Sequence, residues 1–405
     1  MPDRNKLKLI QINTVCNAST GKIMEDIQRE AIRQGYETLS LVGRRKPFTD
    51  LPCKRYGNAV SFWLHVALNT VFDRQGFGSP LVTARLIDRL RTEAPDIIHL
   101  HNLHGYYLNL PMLFRYLHEE YKGKIFWTFH DCWPFTGHCP YFTMVNCQKW
   151  KDGCCHCPNK KSYPISLFLD ASRKNYMDKK RMFSGLKSLT VVVPSKWMGQ
   201  LVSESFMQKY PVKIIPNGID IGVFTYTEDS GMYVKYRIPR DKKLLLGVAN
   251  IWDKRKGLED FLALSRELPD DYRIVLVGLS AAQIKKLPEN IIGIQRTDSR
   301  KELATLYSMA EIFINPSREE SFSLVTVEAF ACGTPVIVLN TSAVGELVTR
   351  ENGLVISSTK VQTYLDAIAQ IEACGLNRAD VARTAQKYNN RIIAERIVNL
   401  YKEES

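Results

Sequence analysis

The sequence predicts an α/β protein built from two doubly wound parallel sheets. Three observations carry that expectation. Short runs of apolar and β-branched residues alternate with stretches of helical periodicity, the pattern of parallel strands joined by crossover helices. The alternation occurs twice, before and after an irregular polar stretch that ends near Lys242. A chain of 405 residues, 45% hydrophobic and 24% charged, is long enough for two such cores.

In the first unit KLKLIQIN (6–13) is an apolar run that ends in the small-residue turn NASTG. KIMEDIQREAIRQ then places Ile23, Ile27, Ala31 and Ile32 at three- and four-residue steps, which predicts a helix stopped by Gly35. YETLSLV, DIIHLHN (96–102), KIFWTFH (124–130) and SLTVVVP (188–194) read as buried strands, the last two bracketing a cysteine-rich excursion. SFWLHVALNTVF (61–72) is too short to span a bilayer, is interrupted by Ser61, His65 and Asn69, and reads as an amphipathic helix. VKIIPNGID (212–220) closes the unit. The second begins with KLLLGVAN and a helix from about Leu258, then RIVLVG and a helix, IIGI, a helix from about Lys301, EIFINPS, a helix from about Leu324, and PVIVL. A last helix around Arg391–Lys402 has no strand after it and is expected to pack back on the first unit.

These readings give domains at 1–222, with a cysteine-rich insertion at 132–165 and completion by the helix at 388–405, and at 241–387, with 223–240 as linker. Two doubly wound, Rossmann-like units would face a central cleft at the carboxyl-end edges of their strands, where open α/β sheets bind ligands.

The opening MPDRNKLKLIQIN lacks a long apolar core, so a cytoplasmic location with reduced thiols is expected. The formal net charge is +13. Part of it is local: between 149 and 187 Lys149, Lys151, Lys160, Lys161, Arg173, Lys174, Lys179, Lys180, Arg181 and Lys187 face only Asp152, Asp170 and Asp178. Such a face suits phosphate, whether of nucleic acid, anionic lipid or a diphosphate ligand, or is simply a solvated surface.

The most informative stretch is NPSREESFSLVTVEAFACGTPVIV (315–338). A strand ends at Pro316-Ser317, a loop carries Glu319 and Glu320, and a helix begins near Ser323 with Glu328 inside it. The first turn of a helix offers N–H groups to an anion. A carboxylate accepts two hydrogen bonds, so Glu320 and Glu328 suit the hydroxyl pairs of a ribose or a sugar. Two ordinary glutamates on an exposed helix would give the same letters.

Glu320–x7–Glu328 within PS–x2–E–x–F–x–L–x3–EA–x–ACG–x–PV resembles the nucleotide-sugar motif of retaining glycosyltransferases of family 4, which have the GT-B fold. IIPNGIDIGVF (214–224) is similar to the family's PNGxD–x–F segment, WDKRKG (252–257) to its Lys-Gly diphosphate element, and LYSMAEIFINPS to the helix and strand leading into the Glu pair. The likeness covers nearly the whole chain. HDCWPFTGHCPYF with its later cysteines resembles the exopolysaccharide and colanic-acid-type subgroup.

The resemblance implies a donor site in which Glu328 holds the ribose, Glu320 contacts a hexose-type sugar, Ser321, Phe322 and Ser323 offer backbone contacts, and Lys256 with Arg255 neutralises the diphosphate. VANIW stands where the family often has an arginine-bearing GRL segment, so Arg255 is its replacement. Ser-Phe-Ser stands where Gly-Phe-Gly is usual. Thr20-Gly21-Lys22 fails as a Walker A loop, because no glycine stands five residues before Gly21 and Ile23 replaces Ser/Thr; it resembles the family's first glycine loop, with Gly21 near the donor. His130 at the end of KIFWTFH corresponds to the family histidine that contacts the donor sugar, and together with Glu320 it is the expected catalytic pair, with Asp131 orienting it. His101, His104 and Asp131 are candidates for the acceptor side.

The family needs no metal or other cofactor for catalysis. Its resemblance implies a nucleotide-sugar donor, a polyprenyl-diphosphate-linked or other glycan acceptor, peripheral contact with the inner membrane surface and no nucleic acid. Six of the ten cysteines lie between Cys132 and Cys157. Cys139, Cys147, Cys154 and Cys157, spaced C–x7–C–x6–C–x2–C, could form a closed structural zinc site, remain free buried thiols, or do redox chemistry. The competing classes are a zinc-containing nucleic-acid-binding or scaffold protein, which leaves the Glu pair without a reason, and another GT-B enzyme such as a nucleotide-sugar epimerase or a phosphorylase.

Overall fold

The computed structural model describes residues 6–16, 19–45, 49–228 and 231–403. Asn17 and Ala18 of the NASTG turn lie outside them. The chain divides into two compact units, 1–216 with 393–405, and 217–392. The boundary therefore falls before Asn217 rather than after 222. The stretch expected as a linker, 223–240, is part of the second unit, because Phe224, Met232 and Ile238 are buried in its core.

The first unit is a seven-stranded sheet. Its strands are β1 (Lys8–Asn13), β2 (Glu37–Val42), β3 (Cys53–Arg55), β4 (Ile97–Leu100), β5 (Lys124–Thr128), β6 (Leu189–Val193) and β7 (Val212–Ile214), in the spatial order β3-β2-β1-β4-β5-β6-β7. Every ladder is parallel, from Ser40 opposite Cys53 at one edge to Val193 opposite Ile214 at the other. A parallel sheet is covered on both faces, which is why its central strands are apolar runs without alternation. All residues of β4 and β6 are buried. One face carries the larger core around Leu100, Phe114, Trp127, Phe129 and Phe183. The other is covered by the helices Ser19–Arg33 and Asn390–Glu403, whose Ile23, Ile27, Ile393, Ile397 and Tyr401 pack with Leu9, Ile97, Phe126 and Val192.

Tyr401 fixes the chain's last helix. Its ring lies 4.8 Å from that of Phe126, its hydroxyl meets His99 Nδ1 at 2.6 Å, and its carbonyl accepts from Lys124 Nζ at 2.9 Å.

The second unit is a six-stranded parallel sheet of β8 (Lys243–Val248), β9 (Tyr272–Val277), β10 (Ile291–Ile294), β11 (Ile312–Asn315), β12 (Val336–Leu339) and β13 (Gly353–Ile356), ordered β10-β9-β8-β11-β12-β13. Sequence periodicity passes over β3 and β13, strands of three and four residues at one edge of each sheet. Separate cores cover its two faces, one around Tyr307, Phe313 and Phe330 and the other around Trp252, Phe261 and Tyr364. Among the described residues no helix is long and apolar enough to cross a membrane.

The cysteine-rich excursion is a packed lobe of the first unit. Trp133, Phe135, Phe142 and Trp150 are buried in the main core, with the Phe142 and Trp150 rings stacked at 5.1 Å. Lys179 is buried beneath it: Nζ lies 3.3 Å from the Trp133 ring centroid and donates to the carbonyls of Trp133 (2.8 Å) and Thr136 (3.1 Å). Burial pulls its ammonium down to about 7.

Tyr401→Phe removes one buried hydrogen bond and should cost about 1–3 kcal/mol. Tyr401→Ala should cost about 3–5 kcal/mol by opening a cavity as well. Urea unfolding of the wild type and both variants checks the order; three equal midpoints would remove Tyr401 as the anchor of the last helix.

Candidate active site

In the first unit the candidate residues gather at the carboxyl ends of β1, β4 and β5. Gly21 sits in the first turn of Ser19–Arg33, where a Cβ would lie 2.4 Å from the Cys16 carbonyl carbon, so no larger residue fits this turn as built. Lys22 is engaged on its own helix surface with Asp26 at 3.1 Å.

His99, His101 and His130 form a stacked column. Ring centroids are 4.3 Å apart for His99–His101 and 5.5 Å for His101–His130, and all three residues are buried. The partners of His101 settle its tautomer. Gln11 Nε2 donates to the Met24 carbonyl at 3.0 Å, and a carbonyl can only accept. The Gln11 amide is thereby oriented, and its Oε1 faces His101 Nε2 at 3.1 Å. His101 Nε2 must then carry the proton, and Nδ1 the lone pair. That nitrogen stands 3.2 Å from His130 Nε2, which must be the donor. Burial lowers His130 to about 4 and His101 well below its ordinary value, so both rings are neutral near pH 7. Neutral His130 protonated at Nε2 has Nδ1 as its accepting nitrogen.

The structure moves two first-unit assignments. Asp131 was expected to orient His130; instead its Oδ2 meets His104 Nε2 at 2.8 Å and its Oδ1 accepts from the Trp133 N–H at 2.9 Å. Burial raises its carboxyl, but His104 and the Trp133 N–H outweigh that and hold it below the ordinary value. His101 was a candidate for the acceptor side; it is 1% exposed with both ring nitrogens engaged, so it supports His130. His104 is half-buried, with Nδ1 3.0 Å from the Tyr163 hydroxyl.

In the second unit the loop after β11 meets the turn after β8. Lys256 Nζ pairs with Glu320 Oε1. Arg255 Nη1 donates to the Glu319 carbonyl at 3.0 Å, and its own carbonyl accepts from the Arg318 N–H at 2.8 Å. Asp253 caps this turn through the Lys256 N–H at 3.0 Å. Burial raises the Glu320 carboxyl, yet the charges of Lys256 and Arg255 outweigh it and hold it below the ordinary value. The Ser342 hydroxyl accepts from the Glu320 N–H at 2.9 Å.

Glu328 differs. It is half-buried in the helix Leu324–Ala331, and desolvation pushes it up to about 7 against the pull of Arg300 and the Tyr307 hydroxyl, which lies 3.2 Å from Oε2. The Phe322 ring is buried beside Tyr388, so this residue offers only backbone, and Ser321 is half-buried next to it. Ser323 stands at φ +95, ψ 85, a conformation that favours glycine. Its hydroxyl is turned inward to Asn315 Nδ2 and Thr326 Oγ1, both at 2.9 Å, which offsets the strain and keeps the side chain off the loop surface.

The structure lends the tetrathiolate expectation no support. Among the described residues no group of three or more His, Cys, Asp or Glu side chains is placed to hold a metal ion. Cys139, Cys147, Cys154 and Cys157 line one small cavity with Phe142 and Trp150, but as free thiols: Cys139 and Cys157 hydrogen-bond each other, and Cys154 Sγ accepts from the Gly137 N–H at 3.1 Å. Aromatic packing, Lys179 and the buried His138–Asp73 pair at 2.5 Å hold the lobe together. Sequence reasoning also passed over Gln11, Asp253, Tyr307 and Ser342. Of these only Gln11 left a signal, as a polar residue inside the apolar run KLIQIN.

Two doubly wound parallel units, the second presenting a paired glutamate and lysine loop, are the architecture of a GT-B glycosyltransferase. Residues 21–223 match the model of Glycosyltransferase Family 4, and residues 233–388 that of Glycosyl transferases group 1. The chain belongs to glycosyltransferase family 4. It is 26% identical to the candidate colanic acid biosynthesis glycosyl transferase WcaC of Escherichia coli (strain K12), over 98% of this chain and 99% of that protein. Among solved structures it is similar to the sucrose-phosphate synthase of Thermosynechococcus elongatus (TM-score 0.71, 18% identity, 98% and 99% covered). It is also similar to Anabaena Alr3699/HepE in complex with UDP and glucose (TM-score 0.68, 14% identity, 98% and 99% covered).

The tautomer assignment is open to direct test. In 15N-histidine-labelled protein, long-range proton–nitrogen correlation spectra should show His130, identified by the signals lost in His130→Gln, protonated at Nε2. Gln11→Leu should leave a mixture of tautomers, whereas Gln11→Glu, which keeps the acceptor, should retain the wild-type pattern. His130 protonated at Nδ1 in the wild type would overturn the assignment.

Proposed function

We propose that this family member is a retaining, metal-independent hexosyltransferase. It would move a hexose-type sugar from a nucleoside-diphosphate donor to a glycan or lipid-linked glycan acceptor in bacterial surface polysaccharide biosynthesis. The observation that carries the reading is the convergence of Lys256 and Arg255 on the Glu319–Glu320 loop. This places two cations beside a carboxylate held ionised, on the unit that also carries Glu328. The relation to a colanic acid candidate over almost the full length, and the fold shared with a protein bound to UDP and glucose, support the donor class and the pathway type.

In this reading the cations serve the leaving diphosphate, whose developing charge is stabilised by preorganised positive groups. Lys256 exchanges its contact with Glu320 for a phosphate oxygen, which frees Glu320 to accept from sugar hydroxyls. Glu328 accepts from the ribose diol. His130 Nδ1 accepts a hydroxyl hydrogen of the donor sugar; a neutral ring suits that task. His104, with Asp131, faces the acceptor. The acceptor is a polyprenyl-diphosphate-linked glycan, reached by a cytoplasmic enzyme that touches the membrane peripherally.

Glu328 gives the reading a pH signature. Its carboxyl titrates near 7, and a ribose diol donates to the ionised form. Nucleotide-sugar affinity should therefore rise with pH from about 6 to about 8, because protonation below 7 removes the acceptor. Thermal-shift titration with UDP- and GDP-sugars measures this. Glu328→Ala should weaken the bound donor by about tenfold to a hundredfold, for the loss of charge-assisted hydrogen bonds. Glu328→Gln should flatten the pH dependence. Should no nucleotide sugar stabilise the wild type, or should Glu328→Ala bind equally well, the donor-site reading is wrong.

A further inference from the structure

The helix Ala59–Phe72 is inside out. Its sequence AVSFWLHVALNTVF has no charged residue. Val60, Trp63, Leu64 and Ala67, spaced i, i+3, i+4 and i+7, form the stripe that a surface helix normally turns to the core. Here that stripe faces solvent, with Val60 71%, Trp63 66% and Leu64 67% exposed. The residues it buries are polar. His65 Nε2 accepts from the Gly76 N–H at 3.0 Å, which leaves Nδ1 to donate to Ser79 Oγ at 3.0 Å. Asn69 Nδ2 donates to the Ile165 carbonyl at 2.9 Å. These satisfied hydrogen bonds fix the rotation of the helix, so the outward apolar stripe is built in.

A loop of the cysteine-rich excursion extends the surface. The N–H groups of Leu167 and Leu169 donate to the carbonyls of Thr70 and Val71 at 2.9 and 3.1 Å, laying residues 165–169 along the end of the helix. Leu167 (57%), Phe168 (67%) and Leu169 (53%) are exposed there, beside exposed Phe72. A contiguous apolar surface of this kind is what monomers avoid unless it binds something. Its flanking charge is mostly basic, and the exposed Asp170 that follows Leu169 turns its carboxylate to the Cys157 and Ser172 N–H groups. Neither 59–72 nor 160–169 (KKSYPISLFL) contains an acidic residue. Lys161 is exposed, Lys160 Nζ reaches the Phe168 carbonyl at 3.0 Å, and the Arg44 guanidinium lies over the Phe62 ring at 4.2 Å. A twofold contact with a second copy would bring these bases toward their own equivalents, because such a contact pairs one patch with itself. A negatively charged apolar boundary matches both features, as aromatic and aliphatic side chains enter below the headgroups while lysines stay among the phosphates.

We propose that the outer face of Ala59–Phe72 together with the loop 165–169 docks on an anionic bilayer, Trp63, Leu64 and Phe168 entering it and Lys160 and Lys161 meeting lipid phosphates. This deepens the reading of a lipid-linked acceptor and rests on that reading for its purpose.

The test is co-sedimentation of the full chain with phosphatidylethanolamine–phosphatidylglycerol vesicles, and with phosphatidylcholine vesicles. The wild type should partition to the anionic vesicles, more weakly at high salt. Trp63→Ser and Phe168→Ser should each reduce partitioning by about tenfold, the loss expected for one large buried apolar side chain. Lys160→Glu with Lys161→Glu should reduce it and remove much of the salt dependence. Trp63 and Phe168 face solvent, so melting temperatures and nucleotide-sugar stabilisation should not change in those two variants. Equal partitioning of Trp63→Ser and wild type would overturn the proposal, as would equal binding to both vesicle types. A concentration-dependent dimer abolished by Trp63→Ser would also overturn it, in favour of a second copy. Lost vesicle binding with donor stabilisation intact defeats this surface alone; the converse defeats the donor site alone.

Discussion

A histidine inside a parallel sheet has to stay neutral and give each ring nitrogen a partner. That requirement organises the first unit. His99 lies in β4, which is buried throughout, His101 directly follows it, and His130 follows β5. An uncompensated imidazolium there would be expensive, and all three rings are held below their ordinary values by burial. The partners come from three distant parts of the chain: Gln11 on β1, Thr128 on β5 and Tyr401 on the last helix. The C-terminal helix thus supplies one end of the column and the N-terminal strand fixes its polarity. A backbone carbonyl at Met24 is the fixed point, since it is the one group in the chain of contacts that cannot reverse its role.

The second unit solves the opposite problem. Its candidate groups are charged, and neighbours decide which charges persist. Glu320 and Glu328 lie eight residues apart, yet they are driven in opposite directions. Glu320 sits beside Lys256 and Arg255 and stays ionised. Glu328 has the charge of Arg300 and the Tyr307 phenol to favour ionisation, and desolvation prevails over both. Carboxylates separated in this way suit different tasks. One stays a charge partner for a cation; the other is an acceptor that strengthens as the pH rises.

Much of this was legible in the sequence where local pattern and global packing agree. The central strands were readable because burial on both faces demands unbroken apolar runs, and their carboxyl ends located His130 and Glu320. Edge strands β3 and β13 were not, since a three- or four-residue strand open on one side has little pattern to show. Side-chain partnership was also unreadable. Asp131 stands next to His130 in sequence but serves His104, a partner 27 residues back in the chain. The cysteines were open for a related reason. Spacing brings the four thiols to one small cavity, but it cannot show how they are partnered there, and Cys139 and Cys157 hydrogen-bond each other while Cys154 accepts from the Gly137 N–H. In Ala59–Phe72 periodicity reveals two faces and cannot say which faces inward. His65 and Asn69 decided it through partners at Ser79, Gly76 and Ile165 that no local window contains.

Asp73 shows how the surface and the site come to be one construction. It caps the helix Ala59–Phe72 in a left-handed conformation (φ 55), its Oδ1 meets His138, its Oδ2 accepts from the Ala171 N–H at 2.9 Å, and its carbonyl accepts from Asn175 Nδ2 at 2.5 Å. One residue therefore joins the apolar helix to the start of the excursion, to its end, and to the helix Ser172–Phe183. Between those ties the chain runs from Tyr163, whose hydroxyl meets His104, to Leu167–Leu169 on the exposed patch. Four residues separate a side chain on the Asp131–His104 pair from one on the outer surface. The excursion thus ties the apolar face to the residues around His104 through Asp73, the Tyr163 hydroxyl and the Leu167 and Leu169 N–H groups.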